Sequence, residues 1–104
     1  MSFFVQMKGS GPTVVTPVGE LDLATAPELS CRLASIYGDT EVDCSKLDFV
    51  DAVGLGVFVA AHRRCDRHGW KFALVEPSPL LLRLLGITGL DAILHVRSDV
   101  ASPG

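Results

Sequence analysis

The spacing of hydrophobic residues changes in the middle of the chain. Over residues 40–46, apolar and polar side chains alternate, and a period of two is typical of a half-buried strand. Over residues 52–68, apolar residues such as Leu55 and Phe58 recur at spacings of three and four, as they do on one face of a helix. The pattern therefore predicts a strand that is followed closely by a helix.

Asp51 lies at the junction between that strand and that helix. A short carboxylate in this position can accept a hydrogen bond from a free backbone N–H of the first helical turn, such as that of Val53 or Gly54. Its negative charge also suits the positive end of the helix dipole. We therefore predict that Asp51 caps the helix and that Ala52 projects from the first turn into solvent.

Hydrophobic periodicity in the rest of the chain predicts a small α/β domain. Glycine and proline divide the remaining residues into strands over about 3–7, 13–18, 70–75 and 93–96 and helices over about 26–37 and 80–85. The first two strands form a hairpin, and the alternation that follows implies parallel strands with right-handed crossovers. The expected fold is α/β: a small mixed β-sheet, with a leading antiparallel hairpin and then βαβαβ, and three to four helices packed on it. We expect one domain over residues 1–97 and a short polar C-terminal tail over residues 98–104.

Local signals set several of the element boundaries. Thr25 and Glu28 have the spacing of a capping box, which predicts that the Thr25 hydroxyl caps the first helix. Ser78 is expected to open the third helix and Gly86 to close it. Pro17 cannot donate to a strand ladder, so it should lie at a sheet edge, at a bulge or at a strand end. The apolar run over 70–75 favours a central strand that is buried on both faces.

The composition indicates where the protein is located and which classes of partner it does not bind. A chain of 104 residues with a formal net charge of -3 offers no basic face for nucleic acid. No apolar run approaches the roughly 18–20 residues of a membrane span, and the first residues lack the features of a signal peptide. The three cysteines, Cys31, Cys44 and Cys65, are an odd number without tight spacing, which favours reduced, buried thiols. We expect a cytoplasmic protein that neither binds nucleic acid nor inserts into a membrane.

Three clusters resemble parts of metal or catalytic sites, and none of them predicts such a site. His62, Cys65 and His68 have a ligand-like spacing, but on a helix they fan over roughly 120° and rise about 9 Å, which is too spread for one metal ion. Asp48 and Asp51 flank a turn, where carboxylates usually cap a helix or bind water. Cys65 lacks a base that faces it from an adjacent helix position. We therefore expect no enzyme activity, no metal site and no cofactor.

Three segments together resemble a known family. They are the run Gly19-Glu20-Leu21-Asp22, the run Asp48-Phe49-Val50-Asp51-Ala52-Val53-Gly54-Leu55-Gly56-Val57, and the closing residues Pro77-Ser78-Pro79 and Leu90. The sequence is similar to the STAS family and, more narrowly, to the bacterial anti-sigma factor antagonists. The resemblance covers essentially the whole chain, and the order and length of the elements agree with it.

The resemblance implies partner switching. In that family, a sigma factor is held by an anti-sigma factor that is also a serine kinase, and the antagonist binds this kinase and frees the sigma factor. The kinase then phosphorylates a serine or threonine after the aspartate of the second segment, which here is Asp51, and the complex dissociates. A phosphatase resets the system. The acidic residue that Asp22 matches lies near the same surface. A phosphoryl group adds nearly two negative charges to such a docking surface.

Ala52 occupies the phosphoacceptor position, and it has no hydroxyl. Either the natural chain carries alanine here and stays in the unphosphorylated, binding-competent form, or alanine replaces a native serine and traps that form. A phosphatase is a further partner only if the native residue 52 is serine. We expect the surface that binds the anti-sigma factor to consist of Asp22, Leu23, Thr25, Asp51, Ala52, Val53, Gly54, Leu55 and Gly56.

The missing hydroxyl also favours a second hypothesis. A STAS module that works in a signalling scaffold or in a lipid-transport complex does not need to be switched by phosphorylation. Co-purification with a transporter ATPase or with large multi-STAS particles would distinguish this hypothesis from the first.

Overall fold

The computed structural model describes residues 3–9 and 11–98. It contains six strands, β1 (Phe4–Gly9), β2 (Thr13–Leu21), β3 (Thr40–Asp43), β4 (Leu47–Val50), β5 (Phe72–Val75) and β6 (His95–Arg97). The helices within these residues are α1 (Ala26–Ala34), α2 (Ala52–Arg67), α3 (Pro79–Thr88) and a short 3-10 helix (Leu90–Ala92). Of the predicted tail, residues 99–104 lie outside the described part of the chain.

The strands form one mixed sheet in the order β1-β2-β3-β5-β6, with β4 paired to β2. β1 and β2 pair antiparallel, and all the other pairs are parallel. This arrangement confirms the predicted α/β fold with a leading hairpin. β5 lies between β3 and β6, and all four of its residues are buried, as expected of a central strand.

β2 pairs with two different strands along one of its sides. Its first residues, Thr13–Val15, lie beside β3, and its last, Gly19–Leu21, lie beside β4, with a register shift between Gly19 and Glu20. Pro17 falls in the gap between these two pairings and is itself buried. Its missing N–H therefore costs no ladder hydrogen bond on that side, which is how a proline fits inside a long strand.

β4 is an element that the hydrophobic pattern does not predict. The strand expected over 40–46 ends at Asp43, and a turn closed by a hydrogen bond from the Leu47 N–H to the Cys44 carbonyl (3.1 Å) leads into Leu47–Val50. Only the two end residues of β4 are buried, so its four residues do not show the alternation of a half-buried strand. The carboxyl end of β4 nevertheless positions the turn before α2.

The ends of two helices also differ from expectation. Ser78 opens α3 as predicted, since its Oγ accepts a hydrogen bond from the Leu81 N–H at 3.1 Å. Gly86, however, lies inside α3, which ends instead at Gly89 in the left-handed region (φ 76°). At α1, Thr25 takes the N-cap position, but its side chain does not cap the helix.

The core is an apolar layer formed by the sheet and the helices. Its members that are fully shielded from solvent include Val15, Leu21, Leu29, Val42, Phe58, Leu74 and Leu85. All three cysteines are free thiols, but Cys31 is exposed, which corrects the expectation that all three are buried. Within residues 3–9 and 11–98, no helix combines the length and apolar character that a bilayer crossing requires.

Candidate functional site

Two hydrogen bonds of Asp51 fix the turn between β4 and α2. Asp51 is the N-cap of α2, and its Oδ1 accepts a hydrogen bond from the Gly54 N–H at 3.0 Å, which confirms the predicted cap. The Asp51 N–H in turn donates to the carbonyl oxygen of Leu21 at 3.1 Å. The first turn of α2 is therefore tied to the carboxyl end of β2 by a backbone hydrogen bond.

Ala52 and Val53 are the first two residues of α2, and both are exposed. Ala52 thus projects into solvent as predicted. Val53 leaves 42% of its surface exposed, so the turn presents a small apolar surface beside the half-buried Asp51 carboxylate. Neither residue offers a hydroxyl to a phosphoryl donor.

The next three residues divide between core and surface. Gly54 is buried, and a Cβ atom on it would lie 2.8 Å from Cγ of Leu21. Leu55 is only 6% exposed and belongs to the core. Both belong to the set of residues predicted to contact a partner, and both are buried in the structure. Gly56 is exposed, and apart from the backbone of its own helix and its chain neighbours no atom lies within 4 Å of the position of its Cβ, so this glycine leaves the surface open to close approach.

The loop between β2 and α1 is held by its own side chains. Oδ1 of Asp22 accepts hydrogen bonds from the N–H groups of Ala24 (3.0 Å) and Thr25 (3.2 Å). The Thr25 hydroxyl donates to the carbonyl oxygen of Glu20 at 2.7 Å and accepts from the Asp22 N–H at 2.9 Å. Thr25 therefore closes this loop, whereas the capping-box spacing had predicted that it caps α1. The loop carries Leu23 at its tip with 73% of its surface exposed.

The two loops emerge side by side. β2 and β4 are parallel neighbours, with Glu20 opposite Phe49 and Leu21 opposite Val50, so their carboxyl ends lie at the same edge of the sheet. Phe49 is 45% exposed at this edge. Phe49 is not among the residues that were predicted from the sequence to contact a partner.

The described residues hold no group of three or more His, Cys, Asp or Glu side chains arranged to bind a metal ion. His62, Cys65 and His68 of the helix region have a ligand-like spacing in the sequence, but their surroundings differ. Cys65 is buried, while His68 is exposed, with its Nδ1 2.9 Å from the Arg64 carbonyl oxygen and its ring stacked on Trp70. Burial raises the pKa of the Cys65 thiol, which disfavours the thiolate that a metal would need.

The chain is similar to known proteins in both sequence and structure. The model of the STAS domain matches residues 5–102. The anti-sigma-B factor antagonist of Bacillus subtilis (strain 168) is 32% identical over an alignment of 87 residues, which covers 81% of this chain and 80% of that protein. The anti-sigma-B factor antagonist of Listeria monocytogenes is 33% identical over 85 residues, covering 77% of this chain and 74% of the relative.

Solved structures share the same architecture. An anti-sigma factor antagonist from Mycobacterium paratuberculosis superposes with a TM-score of 0.85 and 26% identity over 95% of this chain and 88% of that one. The Bacillus cell fate determinant SpoIIAA in its phosphorylated form gives a TM-score of 0.71 at 18% identity, over 94% of this chain and 93% of that chain. At 18% identity, the similarity to SpoIIAA shows only that the two proteins share a fold.

Proposed function

This chain belongs to the STAS domain family, and from that premise we propose that it is an anti-sigma factor antagonist, which binds an anti-sigma factor and thereby releases a sigma factor. The observation that carries the proposal is the similarity, at 32–33% identity over about four fifths of the chain, to proteins named anti-sigma-B factor antagonists. The relatives are regulatory binding proteins, and a binding role agrees with the exposed apolar residues Leu23 and Val53 at the candidate site.

The proposed contact surface is narrower than the set of residues predicted from the sequence. We assign direct contact to Leu23 and the half-buried Asp22 of the loop before α1, and to the exposed residues Ala52, Val53 and Gly56 at the start of α2. The other predicted residues support this surface, because Asp51 and Thr25 fix the loops by hydrogen bonds while Gly54 and Leu55 pack in the core. Loops held in one conformation lose little entropy on binding, which favours affinity.

The proposed partner is an anti-sigma factor of the serine-kinase type. In the partner switching that the family resemblance implies, phosphorylation of the antagonist ends the complex, and the acceptor position here is Ala52. Because alanine has no hydroxyl, this chain would remain in its binding-competent form in the presence of kinase and ATP. SpoIIAA, which shares the fold, has been solved in phosphorylated and unphosphorylated forms, so that protein does undergo the modification.

A release assay tests this function. An anti-sigma factor bound to its sigma factor is mixed with increasing amounts of this chain, and free sigma factor is measured by native gel electrophoresis. We expect release at stoichiometric amounts, and the same release after incubation with ATP. Failure to bind or to release sigma factor from any kinase-type anti-sigma factor of the source organism would refute the proposal.

A pair of matched variants locates the contact. Leu23 and Ile87 are large aliphatic residues with the same exposed fraction, 73%, but Ile87 lies near the carboxyl end of α3. Leu23→Ala should weaken release by about tenfold, the loss expected of an apolar anchor at an interface. Ile87→Ala should release sigma factor as the unmodified chain does. If the two variants released sigma factor equally well, the loop that carries Leu23 would not be part of the contact surface.

The alternative, a STAS module of a signalling scaffold or a lipid-transport complex, is favoured by one observation, the absence of a hydroxyl at position 52. Such a module would need no phosphorylation switch. Affinity purification from cells separates the two, because recovery of a transporter ATPase or of large STAS assemblies in place of an anti-sigma factor would support the alternative.

A further inference from the structure

β1 forms an exposed edge of the sheet. It is the first strand in the order β1-β2-β3-β5-β6, and it pairs with β2 in an uninterrupted antiparallel register, from Phe4 opposite Val18 to Gly9 opposite Thr13. In an antiparallel ladder, every second residue directs both its N–H and its carbonyl toward the same neighbouring strand. About half of the residues of β1 therefore direct these groups away from β2, where they can pair with a further strand.

β1 lacks the features by which natural proteins protect the edge of a sheet. Protected edges are usually short, or they carry proline, a bulge or several charged side chains. β1 has six residues, no proline and one charged residue, Lys8, and its register with β2 contains no bulge. Within residues 3–9 and 11–98, the other strands that pair along one side only are β4 and β6, which have four and three residues and carry Asp48 and Arg97. β1 is thus the edge best suited to pairing with another strand.

Two large apolar side chains of β1 are exposed. Phe4 and Met7 leave 45% and 40% of their surfaces accessible to solvent, whereas Val5 packs against the core. Because side chains alternate along a strand, Val5 and Met7 lie on one face of the sheet, and Phe4, Gln6 and Lys8 lie on the other. Met7 therefore points to the same face as the core residue Val5, but much of its side chain stays uncovered.

A second copy of β1 complements this pattern of side chains. A two-fold axis normal to the sheet makes two neighbouring strands antiparallel, and it places each residue opposite one whose side chain lies on the same face. An axis at Gln6 places Phe4 opposite Lys8, Val5 opposite Met7, and Gln6 opposite Gln6 of the second copy. No charged side chain of β1 then faces a side chain of like charge.

The register centred on Gln6 matches the side chains better than the register centred on the next residue. Met7 of each copy covers Val5 of the other, which extends the apolar layer across the junction. Each Lys8 can lay its aliphatic stem over Phe4, and the two Gln6 amides can hydrogen-bond to each other. An axis at Met7 would instead place Val5 opposite a glycine, which has no side chain to cover it.

We propose that two copies of this chain associate through β1, which pairs with β1 of the second copy about a two-fold axis at Gln6. A ladder of this length covers less than the roughly 800 Å² per partner of a standard interface, so we expect a reversible dimer with a Kd of about 10–100 μM. The pairing uses β1 alone and does not depend on the anti-sigma factor. The axis turns the carboxyl ends of β2 and β4 of the two copies in opposite directions, so both proposed contact surfaces stay free.

Gln6 provides the test, because a residue on the two-fold axis lies opposite itself. Gln6→Lys and Gln6→Glu each place two like charges opposite each other, which destabilises the pair of strands. In an equimolar mixture of the two variants, a lysine faces a glutamate, and the pair is stabilised. Gln6 is exposed, so both variants should fold. His95→Lys and His95→Glu make the same changes at an exposed residue of β6 and serve as matched controls.

Sedimentation velocity at low ionic strength, over about 5–500 μM protein, measures the association. The unmodified chain and both His95 variants should dimerise alike. Each Gln6 variant alone should raise the Kd about fivefold, and their mixture should associate at least as tightly as the unmodified chain. An unmodified chain that stays monomeric throughout would overturn the proposal. Dimerisation of the separate Gln6 variants as tight as that of the unmodified chain, or a mixture as weak as the separate variants, would overturn it as well.

Discussion

The first turn of α2 lies so close to the end of β2 that a Cβ atom on Gly54 would come within 2.8 Å of Cγ of Leu21. Leu21 is fully buried, so its side chain cannot turn away into solvent. The same two segments are joined by the hydrogen bond from the Asp51 N–H to the Leu21 carbonyl oxygen. The two segments that carry the family resemblance are thus packed directly against each other, and this packing sets the spacing between the Leu23 loop and the Ala52 turn.

Gly54→Ala tests this packing. We expect it to lower the free energy of unfolding by roughly 1–2 kcal/mol, because the cost of overpacking exceeds the gain in helix propensity. Gly56→Ala, in the same helix with open space around its Cβ position, should instead raise it by up to about 1 kcal/mol. Urea unfolding of the two variants measures both effects. If Gly54→Ala were stabilised as much as Gly56→Ala, the close contact with Leu21 would be wrong.

The Asp51 cap gives a second prediction. Asp51→Ala removes the acceptor for the Gly54 N–H and should cost about 1 kcal/mol of unfolding free energy. Asp48→Ala removes an exposed carboxylate from the adjacent strand and should change it by less than about 0.5 kcal/mol. Chemical denaturation followed by circular dichroism makes the comparison. A smaller loss for Asp51→Ala than for Asp48→Ala would contradict the capping role.

The thiols provide a third prediction, which concerns burial. Burial, assisted by the Asp43 carboxylate, raises the pKa of the Cys44 thiol to about 12, and burial also raises the pKa of the Cys65 thiol. The thiolate is the reactive form, so iodoacetamide at pH 8 should modify the exposed Cys31 first in the folded chain. Mass spectrometry after digestion identifies the modified residue, and denatured protein, in which all three thiols react, is the control. Prompt modification of Cys44 in folded protein would show that the core is more open than described.

The parts of the fold that could be predicted from the sequence are those with a strong local signal. The helix over 52–68 shows clear periodicity, and Asp51 can cap it without help from distant residues, so both agree with the structure. β4 could not be predicted in this way, because its four residues form a strand only through their pairing with β2. A short strand of this kind depends on tertiary contacts that no local pattern records.

At the candidate site, too, features with a local signal could be predicted, and features that depend on tertiary contacts could not. The exposure of Ala52 follows from its place after an N-cap and could be predicted. The role of Thr25 could not, because the hydroxyl bonds to Glu20, five residues earlier, and that contact exists only once β2 has been placed. The capping-box spacing with Glu28 was a local signal that a stronger loop interaction overrode. The burial of Gly54 and Leu55 likewise depends on how α2 packs against β2.

Restoring a hydroxyl at position 52 gives a fourth prediction. Ala52→Ser should become a substrate of the cognate kinase, since the residue is exposed at the start of a helix whose N-terminus can hold a phosphate. Incubation with the anti-sigma factor and ATP should add one phosphoryl group by intact mass, and the unmodified chain should gain none. Phosphorylation of the unmodified chain at another residue would contradict the view that position 52 is the acceptor.

Whether the Ala52 turn binds the anti-sigma factor is tested by the affinity of Ala52→Asp for a kinase-type anti-sigma factor, measured by calorimetric titration beside Ala92→Asp. Both variants add one negative charge at an exposed alanine, but Ala92 lies in the short 3-10 helix before β6, away from the carboxyl ends of the strands. An acidic residue is tolerated in the first turn of a helix, so Ala52→Asp should remain folded. We expect Ala52→Asp to bind at least about tenfold more weakly than the unmodified chain, and Ala92→Asp to bind as tightly as the unmodified chain. Unchanged affinity of Ala52→Asp would show that the turn lies outside the interface.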